Sequence, residues 1–252
     1  MHGIHKRCDT CQTRSAGICS ALDDDSLDQL LKLSRRRVVS AHQAIFRDGD
    51  EADHYFNITA GVVKLVKMLA DGRQHIVGLL YPPDFMGQSL NKRHTYYAEA
   101  ATEVELCVYP RGPFESFLKS HAELERQIFE MTIRELDFCR DWTLLLGRKC
   151  SYERVAGFLL MMAKRMPQIG TCQVSGNSVN FELPFTRAEM ADYLGLTLET
   201  VSRQFSQLKK KGIITLPSSR DIIIPDLELL SAIAKIESCS EEIDEDQSRA
   251  VA

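Results

Sequence analysis

The sequence contains no long hydrophobic run. Across its 252 residues, no apolar stretch approaches the roughly 20 residues that a membrane-spanning helix requires. The first ten residues, MHGIHKRCDT, also lack the apolar segment of a secretion signal. These two absences predict a cytoplasmic protein that makes no contact with a membrane.

The chain also lacks the residue patterns of the common enzyme classes. It contains no carboxylate pair with a neighbouring base, no nucleophile motif and no phosphate-binding loop, so we predict no enzyme and no catalytic residue. The net charge of −4 neither favours nor excludes a nucleic-acid partner, because only the local field at the docking face matters. The length suits two domains rather than one.

Cysteine, in contrast, is abundant, with eight residues. Disulfides are disfavoured in the cytosol, so crowded cysteines favour metal binding or redox chemistry. Cys8, Cys11 and Cys19 form a C-x2-C-x7-C pattern. An iron–sulfur cluster would take these three thiolates and a fourth from farther along the chain. A zinc site, with His2 or His5 as a substitute ligand, remains an alternative, although the lack of a second CxxC disfavours it. A third interpretation is that the thiols bind no metal.

Residues 36–110 alternate short β-prone runs with turn signals. Runs such as Val62–Met68 and Val104–Tyr109 are separated by turns such as Asp71-Gly72. This spacing predicts a small jelly roll, preceded by an amphipathic helix over residues 23–33. Cys107 lies in the last run and, taken alone, is typical of a buried core thiol.

A long helix is predicted from residue 122 to about residue 146. Its apolar residues follow a 4–3 spacing that only Glu135 interrupts. A seam of this length without an obvious partner predicts a homodimer, whereas the alternative is a helix packed only on its own jelly roll. The predicted dimerisation residues are Leu124, Ile128, Met131, Glu135, Phe138, Trp142 and Leu145.

Residues 186–212 are typical of a helix-turn-helix. Thr186 and Glu189 form a capping box, Gly195 ends the first helix, and Thr197 caps the second. A second helix with one apolar and one polar face fits a DNA major groove, whereas the alternative is an ordinary surface hairpin of helices. The apolar stripe predicted to face the core is Leu198, Val201, Phe205 and Leu208, and the polar face is Glu199, Thr200, Ser202, Arg203, Gln204 and Gln207.

The flanking segments complete a winged-helix domain. A helix over residues 151–166 precedes the helix-turn-helix, and a β-hairpin over residues 212–224 follows it as the wing. We therefore predict an α+β chain with these parts: a cysteine-rich segment at 1–20, a β-roll sensor domain at 21–120, a dimerisation helix at 121–150, a winged helix-turn-helix domain at 151–236 and an acidic, disordered tail at 237–252.

This order of parts resembles the CRP/FNR family of bacterial transcription regulators over nearly the whole chain. Within the family, the stretch YLGLTLETVSRQFSQLKKKGII is similar to the recognition motif of the FNR branch, which includes the FnrN, FnrL and FixK types. The N-terminal cysteines and residues 98–110, which contain Cys107, look like the sensor region of that branch.

The resemblance implies a dimer in which each subunit reads half of a palindrome resembling TTGAT, four unspecified base pairs, ATCAA. Glu199 and Arg203 are one helical turn apart and suit a cytosine amino group and a guanine, with Ser202 beside them; the alternative is a surface ion pair. RNA polymerase is the expected protein partner. The residues expected to hold phosphates are Arg187, Thr197, Thr200, Lys209, Lys210 and Lys211.

The resemblance also bears on the effector. Cyclic-nucleotide members of the family carry an Arg-Ser pair where this chain has residues 96–100, YYAEA, so no arginine can bind the phosphate and we expect no cyclic nucleotide. The FNR branch implies instead one oxygen-labile 4Fe–4S cluster per subunit on Cys8, Cys11, Cys19 and Cys107. The gap of seven residues before Cys19 is longer than in enteric members, and a zinc site or a thiol redox sensor is the alternative.

A switch mechanism follows from this resemblance. The cluster would pin the N-terminal segment to the β-roll beside the long helix, and oxygen would loosen the segment and weaken the dimer. A marginal dimer needs a bias of only a few kcal/mol to change its population. Repulsion between Glu135 and a like charge across the seam is the proposed reason that the dimer without the cluster is marginal.

Overall fold

The computed structural model describes residues 8, 11, 13–87, 92–169 and 172–235. A 3-10 turn at Ile18–Ala21 and helix α1 (Asp24–Leu33) lead into the β-roll. Helix α1 begins where the Asp23 side chain accepts from the backbone N–H of Ser26, which caps the first turn as a short polar side chain can. The predicted tail at 237–252 lies outside the described residues.

The jelly roll predicted from the turn spacing is confirmed. Two four-stranded antiparallel sheets, with strand orders β1-β8-β3-β6 and β2-β7-β4-β5, enclose an apolar core. The strands are β1 (Arg35–Val39), β2 (Ala44–Phe46), β3 (His54–Ala60), β4 (Val63–Met68), β5 (Gln74–Leu80), β6 (Phe85–Met86), β7 (Tyr97–Ala100) and β8 (Val104–Pro110).

Two helices leave the β-roll. Helix α2 (Arg111–Leu118) is short, and α3 (Ala122–Arg148) is the predicted long helix. Lys149, in an extended conformation, ends α3, and α4 (Ser151–Ile169) begins two residues later. A Cβ added to Gly157 of α4 would lie 2.5 Å from Leu145 Cδ1, so the side chain of α3 packs directly on the backbone of α4. The glycine thus sets the angle between the long helix and the domain that follows.

The C-terminal domain is a winged helix. Strands β9 (Cys172–Ser175) and β10 (Ser178–Glu182), helices α5 (Arg187–Leu194) and α6 (Leu198–Lys210), strand β11 (Asp221–Ile224) and helix α7 (Leu227–Lys235) follow in that order. The predicted wing hairpin is only partly right. Strand β11 pairs with β10, and its link to the chain before the turn is a single bridge between Thr215 and Ile223.

The two domains share one apolar cluster. Val66, Ile76 and Tyr81 of the β-roll lie in the same buried cluster as Phe158 of α4 and Leu194 of α5. Burial of such side chains is the main favourable term in domain association, at about 25 cal/mol per Å² of apolar surface. The winged-helix domain is therefore docked on the β-roll. Across the described residues, no helix combines the length and the apolar character that crossing a bilayer would demand.

Candidate nucleic-acid interface and cysteine site

The helix-turn-helix is held by the local contacts that the sequence predicts. The backbone N–H of Glu189 donates to Thr186 Oγ1 at 3.2 Å, and Glu189 Oε2 accepts from the N–H of Thr186 at 2.8 Å, which closes the capping box. Gly195 has a φ of 62°, a left-handed conformation that glycine adopts without strain. Thr197 Oγ1 then accepts from the N–H of Thr200 at 3.2 Å and starts α6.

Helix α6 packs on the domain through most of its predicted apolar stripe. Val201, Phe205 and Leu208 are buried. Leu198 was wrongly assigned to that stripe, because it lies in the first turn and is 47% exposed. Gln204 was wrongly assigned to the polar face: it is buried, and its Nε2 donates to Ser151 Oγ at 3.1 Å, which ties α6 to the start of α4.

The three predicted base-reading residues lie on the exposed face of α6. Glu199, Ser202 and Arg203 are all exposed. In the described part of the chain, no ion pair joins Glu199 to Arg203, so the alternative assignment to a surface pair has no support. Hydrogen bonds from its own backbone N–H and from Thr197 lower the pKa of Glu199. A carboxylate acceptor and a guanidinium donor are thus both exposed on one helical face.

The residues predicted to bind DNA phosphates differ in their exposure, unlike the three base-reading residues. Lys209, Lys210 and Lys211 are exposed near the end of α6, and Lys211 Nζ lies 5.2 Å from the centre of the Tyr152 ring. Thr197 and Thr200 are used in capping, although Thr197 stays exposed. The guanidinium of Arg187 lies over the Phe205 ring at 3.2 Å, and burial lowers its pKa to about 10. Arg187 therefore also packs the two helices together.

The four cysteines predicted as ligands converge on one place. Burial, together with the nearby Cys107, Cys8 and Cys11 in that order, raises the pKa of Cys19 to about 12. The backbone N–H of Cys11 donates to Cys8 O at 3.2 Å, so these two cysteines lie close together. The pKa effects describe thiols without a metal, and a bound cation would reverse them. Four convergent sulfurs fit tetrahedral zinc or an iron–sulfur cluster.

The cysteine segment is packed on the long helix. Ile18, next to Cys19, is fully buried in a cluster with Leu124 of α3. Gln127 Nε2 of α3 donates to Gly17 O at 3.4 Å. Cys107 packs at the edge of the same cluster. Direct contacts therefore join the segment that carries Cys19 to α3.

The predicted dimerisation seam requires a correction. Leu124 is wholly buried in its own chain, and Ile128, Met131, Trp142 and Leu145 are partly buried against its clusters. Trp142 stacks on Tyr193 of α5 at 4.3 Å, and Phe138 stacks on Trp142 at 6.2 Å. The 4–3 pattern marks the side that holds α3 to its own domains. The apolar residues that α3 leaves exposed are Phe129, Ile133, Leu136 and Leu144.

Glu135 lies beside a cavity rather than in a plain apolar seam. The cavity, of about 640 Å³, is bounded by α3, β5 and α4, and Glu135 and Asp84 both line it. Burial raises the pKa of Glu135, and the carboxylate of Asp84 raises it further. Arg165 Nη1 lies 4.0 Å from Asp84 Oδ1 and partly offsets the acidic charge.

A buried ion triad joins the two domains, and sequence reasoning missed it. Lys64 Nζ of β4 lies 2.8 Å from Glu99 Oε1 of β7 and 2.5 Å from Glu189 Oε1 of α5. His42 Nδ1 approaches Glu99 at 3.7 Å. The ammonium occupies the position between the two carboxylates. A lysine inside the apolar run Val62–Val66 was the signal available in the sequence, because a charge there must be paired.

Comparison with family models and known proteins agrees with this arrangement. A Crp-like helix-turn-helix domain matches residues 153–233, and a cyclic nucleotide-binding domain matches residues 36–121. A probable transcriptional activator of Rhizobium leguminosarum bv. viciae is 43% identical over 229 residues, which cover 90% of this chain and 93% of that protein.

Two further similar proteins have more specific names. The transcriptional activator protein FnrL of Cereibacter sphaeroides is 38% identical over 227 residues, covering 90% of this chain and 91% of that protein. The solved structure of FixK2 from Bradyrhizobium japonicum superposes with a TM-score of 0.71 at 31% identity, covering 81% of this chain and 99% of that chain. The agreement extends over both domains.

Proposed function

Since this chain belongs to the CRP/FNR family of transcription regulators and is no enzyme, we propose that it binds its DNA site as a homodimer under low oxygen, controlled by one 4Fe–4S cluster per subunit. The observation that carries the proposal is the convergence of Cys8, Cys11, Cys19 and Cys107 on a segment that packs directly on α3. This arrangement joins a candidate sensor to the helix that connects the two domains.

The exposed face of α6 supports sequence-specific binding. In the major groove, the Glu199 carboxylate accepts from a cytosine amino group, and Arg203 donates two hydrogen bonds to guanine O6 and N7. Ser202 contacts the neighbouring thymine edge, while Lys209, Lys210 and Lys211 bind phosphates. Two copies related by a twofold axis read a palindrome resembling TTGAT, four unspecified base pairs, ATCAA, because dimer symmetry is mirrored in the operator.

The four thiols support the cluster as the sensor. A bound 4Fe–4S cluster would be the part of the protein that reacts with oxygen and is degraded by it. Cys8, Cys11 and Cys19 would hold it from the N-terminal segment and Cys107 from β8, so a complete ligand set would strengthen the attachment of the segment to the β-roll. Loss of this link would weaken the packing of Ile18 against Leu124 and the contact between Gln127 and Gly17.

The exposed apolar face of α3 supports the proposal that this helix connects the cluster site to the dimer contact. Phe129, Ile133, Leu136 and Leu144 form an apolar face that a second copy of α3 covers in the dimer. Glu135 lies on the other side of α3, in the cavity that it shares with Asp84, so like-charge repulsion there, rather than across the seam, keeps α3 and the dimer contact marginal. A small change in the position of α3 then shifts the dimer population.

The relatives favour one further partner and bear on a second candidate. The similar proteins named transcriptional activators favour a contact with RNA polymerase. A cyclic nucleotide is not proposed, although the β-roll matches the cyclic nucleotide-binding domain. Residues 96–100 contain no arginine, and Glu99 places a carboxylate bound to Lys64 where a phosphate would need a cation.

Purification without oxygen tests the proposal. The protein should be brown, contain four iron and four sulfide ions per chain, and lose its visible absorption in air. Gel filtration should show a dimer before exposure to air and a shift toward monomer afterwards. A colourless protein with one zinc ion per chain would replace the cluster with the zinc alternative, which four thiolates also satisfy.

A further inference from the structure

Asn57 lies directly beside Cys107. The two residues face each other in the antiparallel ladder between β3 and β8. Opposed residues in such a ladder project from the same face of the sheet, with their Cβ atoms about 4.5–5.5 Å apart. That face is the one covered by the cysteine segment, since Cys107 packs at the edge of the cluster that contains Ile18.

The side-chain oxygen of Asn57 is buried and lacks a hydrogen-bond partner in the described part of the chain. Asn57 is 2% exposed, and its Oδ1 atom has no hydrogen-bond partner among the residues that the structure describes. Buried polar side chains are nearly always hydrogen-bonded, so an orphaned amide requires an explanation. Asparagine is also depleted in strands, and β3 is otherwise typical of a buried strand at this point, between Phe56 and Ile58.

The orphaned atom points toward the cysteine segment. A Cβ added to Gly17 would lie 3.5 Å from Asn57 Oδ1 and 3.0 Å from Pro83 Cβ. Gly17 is two residues before Cys19, so the amide lies against the backbone that carries this ligand. Asn57 therefore lies opposite one predicted ligand, Cys107, and against the backbone two residues before another, Cys19.

We propose that Asn57 is a positioning residue for the cluster and that its amide N–H donates a hydrogen bond to a sulfur atom at this site. The proposal rests on the proposed function. The oxygen and nitrogen of an amide exchange places by a rotation of the terminal group, so the N–H reaches the position where Oδ1 is orphaned. A sulfur acceptor that carries negative charge provides the missing partner.

The hydrogen bond has a predictable effect. Hydrogen bonds to cluster sulfurs tune the stability of the bound group. An N–H donor favours the more negative form of the site and opposes loss of an electron to oxygen. Asn57 therefore slows the destruction of the cluster in air, whereas a carboxylate at the same position has the opposite effect.

The test compares three variants purified without oxygen. Asn57→Leu keeps a similar volume and removes the amide, and Asn57→Asp keeps the shape but adds a negative charge. Thr59→Val is the matched control, because Thr59 lies two residues along β3 and its hydroxyl donates to Glu105 O at 3.1 Å instead. The readouts are iron and sulfide content, the rate at which visible absorption is lost in air, and the thermal midpoint of the cluster-free protein.

We expect Asn57→Leu to lose its visible absorption roughly threefold to tenfold faster than the parent protein, which is the range for loss of one hydrogen bond. Asn57→Asp should lose it faster still, and Thr59→Val should match the parent. The cluster-free Asn57→Leu protein should be at least as thermally stable as the parent, since an unpaired buried amide has been removed.

Two failures are distinguishable. If the parent and Thr59→Val bind the cluster and both Asn57 variants lose it at the parental rate, the role of Asn57 is overturned and the proposed function stands. If Asn57→Leu does not fold, Asn57→Asp decides the matter by the same criterion. If the parent itself is colourless, the proposed function fails, and the inference fails with it.

Discussion

Lys64 on the β-roll donates to Glu189 on the helix-turn-helix, with Nζ and Oε1 2.5 Å apart. The same Glu189 side chain closes the capping box of α5. Burial by itself would lower the pKa of Lys64, but its hydrogen bonds to Glu189 and Glu99 outweigh burial and raise it. The contact that starts the first reading helix is therefore also the polar contact that joins the two domains.

Lys64→Met should destabilise the protein strongly. It leaves Glu99 and Glu189 close together without the cation, and breaking a buried ion pair by removing one partner costs about 3–5 kcal/mol. The free energy of unfolding by urea measures the effect. Lys67→Met is the matched control on the same strand, because Lys67 pairs with Asp48 at the surface and an exposed pair contributes about 0–1 kcal/mol. Equal losses in the two variants would contradict a special role for Lys64.

The same triad predicts sensitivity to acid. Burial alone would raise the pKa of Glu189, but hydrogen bonds from Lys64 and Thr186 lower it below its ordinary value of 4.5. A carboxylate with a lowered pKa contributes stability above its unfolded-state pKa, and this contribution is lost as the pH falls through the lower, folded-state value. The domain contact should therefore weaken below about pH 4.5.

Unfolding measured from pH 7 to pH 3 checks this prediction. Glu189→Gln should start with lower stability and show a shallower loss over the acidic range. Glu182→Gln, which alters an exposed carboxylate on β10, should follow the parent curve. An unchanged acid slope in Glu189→Gln would exclude Glu189 as the titrating group.

Base recognition by α6 can be separated from phosphate binding. Glu199→Ala should relax the preference at one position of each half-site, with a loss of discrimination of about 1–3 kcal/mol. Lys210→Ala should weaken binding to every sequence and reduce the slope of log K against log salt by about one. Fluorescence anisotropy with a series of single-base variants of the palindrome measures both quantities. A uniform loss on all sequences in both variants would refute the assignment of Glu199.

The exposed face of α3 predicts a dimer contact. Phe129 is 64% exposed, and burying such a side chain contributes about 1.5–3 kcal/mol per copy. Phe129→Glu should shift the cluster-loaded protein toward monomer in sedimentation equilibrium. Val174→Glu changes an equally exposed apolar residue on β9 and should leave the dimer intact. If both variants behave as the parent does, the dimer uses another face.

Glu135→Leu should strengthen the dimer, whereas Phe129→Glu should weaken it. It removes a carboxylate whose pKa is raised by burial and by Asp84, and so relieves the like-charge repulsion in the cavity on the inner side of α3. We expect a stronger dimer in air and DNA binding that no longer requires the exclusion of oxygen. A dimer constant in air that matches the parent's would reject charge repulsion at Glu135 as the reason for the marginal dimer.

Sequence determined the parts of this protein that depend on neighbouring residues. Thr186 with Glu189, Gly195 and Thr197 define the two reading helices because caps and left-handed turns are local interactions. The spacing of turns predicted the jelly roll, and Glu199, Ser202 and Arg203 are exposed as the helical period indicates. The C-x2-C-x7-C spacing likewise identified three candidate ligands.

Tertiary structure decided which distant residues meet. A period of 3.6 residues reveals that α3 has an apolar side, but only packing shows that Leu124 is covered by its own chain and Phe129 is not. Strand register places Asn57 beside Cys107, and domain docking places Lys64 against Glu189. These pairs are separated by 50 residues or more, and no local pattern specifies them. A buried polar residue in a sequence marks the need for a partner, and only the folded chain supplies it.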